Sequence, residues 1–357
     1  MRPKVLILYN GVQDYRVPIL NIVADKYDLT IAFNEGKAPK QEDVNFKIIH
    51  LKQPKKLGPL IIHRENISKL CDDFDAVISI GELQRVKFAY QAFRPFRKFK
   101  YAVWTIGVSA SYTKHYDEVT KWDWIRDIFY KKSDACIFYT DYPVKKNIIR
   151  GYNPETMFVA HNTVQVLPLL SDITKDSILF IGSLYKEKGI QILLDQYIAA
   201  YNINDNIPKL NIIGGGTEYD SIKKWIENNN LGHKIHLIGP VFDKTIKRQY
   251  FQQAYACISP LQAGLSVLES MGYGVPFITT ANAYTGGERF NIINGENGIL
   301  LDDANDLSQI ILDIADSPEK YLQMGQRSYK HYCEKRTPQI MAKGITDCIE
   351  YMLSKKV

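Results

Sequence analysis

Gly264, Leu265 and Ser266 follow a strand-length apolar run and open a helical one, inside the stretch from Cys257 to Thr280. A strand that ends at a glycine and starts a helix leaves backbone N–H groups unpaired at the positive end of the helix dipole, which favours a phosphate. These three residues are expected to face one. Glu269 lies three to five residues further along the same helix, where its carboxylate is placed to reach the hydroxyls of a ribose joined to that phosphate. Phosphate and diol together point to a nucleotide.

Three other glycine-bearing junctions invite the same scrutiny. Leu179-Phe180-Ile181-Gly182-Ser183-Leu184-Tyr185-Lys186-Glu187-Lys188-Gly189 reads as a strand and a polar loop whose lysines can aim an ammonium at a diphosphate. Asn211-Ile212-Ile213-Gly214-Gly215-Gly216 reads as a strand and a triple glycine, where Gly215 and Gly216 let a nucleoside come close; a plain tight turn fits those residues nearly as well. Tyr9 to Pro18 joins the first strand to a helix, with Gly11, Asp14 and Arg16 offered to a sugar or phosphate, while an N-cap at Asp14 ahead of Pro18 explains the pattern equally. Asp72-Asp73-Phe74-Asp75 contains the D-x-D spacing of a divalent-metal site, but it separates a helix from a strand and is read as a capping turn. No metal and no cofactor are expected.

The Cys257–Thr280 stretch resembles the donor-binding signature of family 4 retaining glycosyltransferases (glycosyl transferases group 1), with Gly264-Leu265, Glu269 and Gly274-Val275-Pro276 in register. The resemblance implies the GT-B fold and a nucleotide-sugar donor whose diphosphate is held by Gly264, Leu265, Ser266 and Lys188, with Glu269 on the ribose. It also exposes departures. Ser183 stands where the family has arginine, leaving Lys186 or Arg16 to substitute, and Leu261 stands where the first of two glutamates contacts the donor sugar, leaving that task to the neighbouring Gln262 or to backbone groups. His161-Asn162-Thr163 resembles a turn that points Asn162 toward the cleft. The catalytic pair implied is Lys188 and Glu269, and the transfer is of the front-face type, in which the leaving phosphate helps to deprotonate the acceptor.

Elements that would position these residues follow an α/β rhythm. Strand-length runs at Val5–Tyr9, Leu29–Phe33, Phe46–His50, Ala76–Ile80, Ala102–Thr105, Cys136–Tyr139 and Met157–Val159 alternate with helical patterns such as Pro18–Lys26 and Trp122–Lys132. A second series runs Ile178–Ile181, Leu210–Ile213, Ile235–Ile238, Ala256–Ser259, Pro276–Thr279 and Gly298–Leu301. Two Rossmann-like domains are expected, 1–165 for the acceptor and 166–337 for the nucleotide sugar. A terminal helix, 338–357, crosses back to the first domain by the same resemblance.

The 357 residues suit two cores, and no apolar run approaches the roughly 18 residues that cross a bilayer. Nor does Met1-Arg2-Pro3-Lys4 open a signal peptide, so a cytoplasmic protein, peripheral at most on a membrane, is expected. Five scattered cysteines are read as reduced thiols. Residues 1–165 carry 26 Lys+Arg against 18 Asp+Glu, and the remainder 19 against 21. The basic half suits an anionic partner such as a lipid pyrophosphate or phospholipid, with Lys52-Gln53-Pro54-Lys55-Lys56 and Phe93 to Tyr101 as its densest clusters. The expectation is a metal-independent retaining glycosyltransferase that acts on a saccharide, lipid-linked acceptor in surface polysaccharide assembly. A noncatalytic nucleotide-sugar or glycan binding protein is its rival, while an oxidoreductase and a nucleic-acid binder rank below both.

Overall fold

The structure, a computed structural model, describes residues 2–110, 115–121 and 123–355. Met1 and Trp122, each part of an expectation above, lie outside the described residues. Contacts divide the chain into two units, one of Met1–Ser109, Asp117–Thr163 and Thr337–Val357, the other of Ala110–Tyr116 and Val164–Arg336.

The first unit is built on β1 (Lys4–Leu8), β2 (Asp28–Phe33), β3 (Lys47–His50), β4 (Lys55–Leu57), β5 (Leu60–Ile62), β6 (Ala76–Ile80), β7 (Lys100–Thr105), β8 (Ala135–Phe138) and β9 (Met157–Val159). Seven of them form one sheet in the order β3-β2-β1-β6-β7-β8-β9, parallel at every junction. Helices α1 (Val17–Ala24), α2 (Ile67–Cys71), α3 (Val86–Phe93), α4 (Asp123–Lys132) and α5 (Asp141–Ile149) connect them. Val5 to Leu8 and Ala76 to Ile78 are at most 1% exposed. A parallel strand covered on both faces must be apolar throughout, which is why these strands appear in the sequence as unbroken runs.

The second unit repeats the plan with β10 (Ser177–Ile181), β11 (Lys209–Ile213), β12 (Ile235–Gly239), β13 (Ala254–Ile258), β14 (Phe277–Thr280) and β15 (Gly298–Leu301). Its helices are α6 (Ile190–Ile203), α7 (Tyr219–Asn228), α8 (Lys244–Gln253), α9 (Leu265–Gly272), α10 (Leu307–Asp316) and α11 (Pro318–Lys335). The sheet order is β12-β11-β10-β13-β14-β15, again all parallel. Separate apolar clusters cover it, one around Phe180, Leu193 and Ile311, the other around Phe251, Val267 and Met271.

The last helix, α12 (Pro338–Ser354), belongs to the first unit, where Met341, Ile345, Cys348, Ile349 and Met352 are 0% exposed in its core. Thr337 caps its start by accepting from Ile340 N, with Pro338 at the first helical position. Gly344 allows the helix to lie against β9: a Cβ there would fall 2.1 Å from the Val159 carbonyl oxygen.

The strand positions read from the sequence hold to within two residues. What the sequence reading lacked is the antiparallel hairpin β4–β5, turned at Gly58-Pro59. Its strands are three residues long and mostly exposed, so no burial imprints an alternating pattern on them. Four of the five cysteines are buried free thiols and Cys333 is exposed.

Candidate functional site

In the second unit the strand order reverses between β10 and β13, so the loops leaving those strands diverge and open a crevice at their carboxyl ends. A cavity of about 460 Å³ occupies it. Gly182, Ser183 and Lys188 line it after β10, Gly214 and Gly215 after β11, Pro240 to Phe242 after β12 and Gly264 to Ser266 after β13, with Lys247 of α8 and Glu269 of α9. The first two loops lie backbone to backbone, since a Cβ on Gly214 would fall 1.8 Å from the Gly182 carbonyl oxygen. Leu184 N donates to Gly215 O and Gly214 N to Gly239 O, both at 2.9 Å, which ties three of the loops into one floor.

Three sources of positive charge meet this space. The N-cap of α9 is Gly264, which has no side chain to turn back onto the first-turn N–H groups, so the dipole end stays open to the cavity. Lys188 ends a short turn, Lys186–Lys188, and folds over Gly182, where a Cβ would lie 3.3 Å from its Nζ. Burial lowers its pKa, and among the described residues no carboxylate lies within ion-pair distance of it. A desolvated ammonium without a counter-charge is unfavourable, and an anion in the cavity would relieve it. Lys247 differs: its Nζ lies 2.5 Å from Glu269 Oε1, with the two side chains 21% and 18% exposed. Asp243 fixes the start of the helix that carries Lys247 by accepting from Thr245 N at 2.7 Å and Ile246 N at 3.1 Å.

Of the residues singled out in the sequence, Gly264, Leu265, Ser266, Lys188, Glu269 and Gly215 share this cavity. Lys186, Gly216 and Gln262 do not line it. Lys186 and Gly216 are exposed beyond its rim, and Gln262 is 8% exposed beneath a bridge to Tyr284. Leu261 packs on Gly189, where a Cβ would lie 2.7 Å from its Cγ, so this position braces the Lys188 turn by apolar contact. Sequence reading missed Lys247 and Phe242. The available signal was topological: the Gly239-Pro240-Val241-Phe242 junction follows a strand of the same sheet and ends at the same edge. Phe242 is 89% exposed, an aromatic left in water at the cavity wall.

Gly11, Asp14, Arg16 and Asn162 belong to the first unit. Gly11 is buried, Asp14 exposed and Asn162 half-buried. Arg16 requires a correction as a substitute phosphate cation. It is 2% exposed, with its guanidinium 4.9 to 5.2 Å from the ring centroids of Tyr15, Trp104 and Tyr139 and its Nη1 3.0 Å from Met341 Sδ. Aromatic faces already hold the charge. Arg85, 1% exposed at the exits of β2 and β6, is likewise consumed internally: Nε donates to Glu82 at 2.7 Å, Nη1 to Asn34 Oδ1 at 2.8 Å, and Nη2 to Glu35. In the D-x-D run, Asp72 is bound by both terminal nitrogens of Arg94 and Asp75 accepts from Lys4 N. No group of three or more potential metal ligands occurs among the described residues.

Known proteins were compared with the chain. The profile of the glycosyl transferases group 1 family matches residues 175–317, which include the whole cavity. The poly(glycerol-phosphate) alpha-glucosyltransferase of Bacillus subtilis is 28% identical over 127 residues, 34% of this chain and 18% of that protein. An uncharacterized glycosyltransferase of Methanocaldococcus jannaschii is 31% identical over 139 residues, 36% of this chain and 33% of the other. The matched segment therefore spans a third or less of each relative. The crystal structure of Anabaena Alr3699/HepE in complex with UDP superimposes with a TM-score of 0.72 at 15% identity, covering 97% of this chain and 99% of that one, a likeness of fold. This chain carries, at residues 175–317, a domain of the glycosyl transferases group 1 family and has the GT-B fold.

Proposed function

We propose that this protein is a retaining glycosyltransferase that moves a sugar from a nucleoside diphosphate donor to a saccharide acceptor, without a metal ion. One observation carries the reading: an uncapped helix end, a desolvated lysine without a counter-charge among the described residues and a fixed carboxylate share one cavity at a strand-order reversal. That set has the chemistry of a diphosphate followed by a ribose. The diphosphate sits on the N–H groups of Gly264 to Ser266 with Lys188 beside it, and Glu269, held in place by its ion pair with Lys247, accepts from ribose hydroxyls. As the bond from the sugar carbon to the phosphate oxygen breaks, the helix dipole and Lys188 take up the charge that develops on the leaving group. The acceptor oxygen bonds to the same face of the sugar, and its proton passes to the departing phosphate. No protein nucleophile is needed, so positioning and charge supply the rate. UDP is the first nucleotide to try, because the HepE structure holds it.

Basic residues in the first unit and the poly(glycerol-phosphate) named for one relative favour an anionic or lipid-linked acceptor, as in surface polysaccharide assembly, with the protein peripheral to a cytoplasmic membrane face. No helix of the described residues is long and apolar enough to cross a membrane. A second reading, a noncatalytic nucleotide-sugar binder, is favoured by Leu261, which braces a turn where the family places a sugar-binding carboxylate.

The test is thermal melting of the protein with UDP-, GDP-, ADP-, dTDP- and CMP-linked sugars, with and without EDTA. A ligand held by the folded state raises the melting temperature. A rise with one nucleoside diphosphate sugar, unchanged by EDTA, together with turnover of that sugar, supports the transferase. A rise without any transfer or hydrolysis supports the binder, and no rise with any of them refutes both.

A further inference from the structure

The first unit exposes an apolar and cationic surface. Along α3, Val86, Tyr90 and Phe93 recur at the spacing of one helix face and are 38%, 50% and 41% exposed. The other side of the helix, Phe88, Ala89 and Ala92, is at most 7% exposed in the core, so α3 is apolar on both sides. Helix α4 lies beside it through Phe93 and Phe129, whose ring centroids are 6.2 Å apart, and exposes Trp124 and Ile128 at 61% and 41%. Beyond α3, Phe96 is 99% exposed with φ of 51°, a left-handed conformation that bulky residues rarely take. The hairpin β4–β5 meets the start of α3 through the Ile61–Arg85 bridge and exposes Leu57 at 67% and Leu60 at 40%.

Both basic clusters of the sequence converge on this helix, which is only about 12 Å long. Lys55 and Lys56 lie on the hairpin at its start, and Arg94, Arg97, Lys98 and Lys100 follow its end. From Val86 to Lys100 there are five Lys and Arg and no Asp or Glu. Arg94 and Arg97 are spent on Asp72 and Asp134 and Lys98 shares a pocket with Asp72, Asp73 and Asp75, whereas Lys55 and Lys56 are exposed and form no ion pair among the described residues. Cations interspersed with rings and aliphatic tips match the boundary between headgroups and acyl chains of an anionic bilayer. A second copy of the same face would oppose like charges, which disfavours self-association.

We propose that α3 with Phe96, the β4–β5 hairpin and the exposed side of α4 form a docking face for an anionic lipid surface. The aromatic rings sit at headgroup level and the lysines meet lipid phosphates. This deepens the acceptor side of the proposed function and uses none of the residues that line the donor cavity.

Co-sedimentation of the full chain with vesicles of phosphatidylcholine, alone or with phosphatidylglycerol added, tests it. The protein is expected to pellet with the phosphatidylglycerol vesicles and to lose most of that binding in high salt. The pairs Phe96→Ser with Trp124→Ser, and Lys55→Glu with Lys56→Glu, should each cut the bound fraction by about tenfold. Their melting temperature and their nucleotide-induced rise should stay as in the wild type, which separates this result from a failure of the donor site. Absence of binding, equal binding to both vesicle types, or variants that bind like the wild type would overturn the proposal. So would a concentration-dependent dimer that the same substitutions dissolve, because the face would then lie between copies.

Discussion

Both sheets are wound alike, and each reverses its strand order once, between β1 and β6 in the first unit and between β10 and β13 in the second. Their carboxyl edges differ in how charge is used. In the first unit, Arg16 is enclosed by three rings and Arg85 is bonded to Glu82, Asn34 and Glu35. In the second, glycines clear the floor, α9 has no side-chain cap, and Lys188 is desolvated with no carboxylate at ion-pair distance among the described residues. A cation at a strand exit therefore marks a ligand site only when the protein has not already supplied its partner. At the first edge the protein's own side chains surround the cations, and at the second the helix end and Lys188 face an open cavity.

Substitution at Lys188 tests this contrast most severely. Lys188→Ala should lower sugar transfer by at least about a hundredfold, as expected when a group that stabilises developing charge is removed, with little change in melting temperature. An unchanged rate in a radiolabel transfer assay would remove its role. Arg85→Met should have the opposite profile. It keeps volume but strips hydrogen bonds from a buried network, costing about 2–3 kcal/mol of stability while the nucleotide-induced rise in melting temperature persists. Denaturant unfolding with and without nucleotide separates the two effects.

A smaller effect is expected for Glu269→Gln, which removes the charge facing Lys247 but keeps the shape. Nucleoside diphosphate affinity should fall about tenfold, roughly one lost charge-assisted hydrogen bond, while inorganic pyrophosphate binds as before. Equal weakening of both ligands in calorimetric titrations would place Glu269 on the phosphates. Affinity should also depend on pH through Lys188. Its folded pKa is lowered by burial, so the free protein gains stability as pH rises through that value, while diphosphate binding, which needs the ammonium, fades over the same range below the ordinary lysine pKa.

The mildest test falls on the first unit. Burial and the nearby Arg85 hold His63 at about 4 against an ordinary 6.5. The unfolded chain therefore takes up the proton first. Stability should be undisturbed above 6.5, decline as pH falls toward 4 and flatten below, with the decline removed in His63→Gln. A variant that declines as steeply as the wild type would assign the acid sensitivity elsewhere.

Legibility in the sequence tracked burial and local backbone need. Parallel strands covered on both faces had to be apolar runs, and they were found; the exposed hairpin β4–β5 carried no such imprint and was not. Gly264 to Ser266, Glu269 and Lys188 could be singled out because they lie in or just after the loops that join strands to helices, Lys188 beside Gly189 with its φ of 73° and Glu269 one turn into α9. Lys247 was not, because a lysine inside a helix carries no local mark of the carboxylate 22 residues away that it meets. Arg16 misled for the converse reason, since two of its three aromatic partners, Trp104 and Tyr139, come from segments far away in the chain.

By itself, the sequence determined two wound α/β sheets, a glycine-led helix start after β13 and the carboxylate on that helix, because these depend on hydrophobic periodicity and on hydrogen bonds between near neighbours. Only the tertiary structure decided which charges are spent. Whether an arginine or lysine is enclosed, paired or left desolvated depends on groups brought within a few ångströms by chain segments distant in sequence, and Coulomb and desolvation energies respond to that distance and burial, not to sequence spacing.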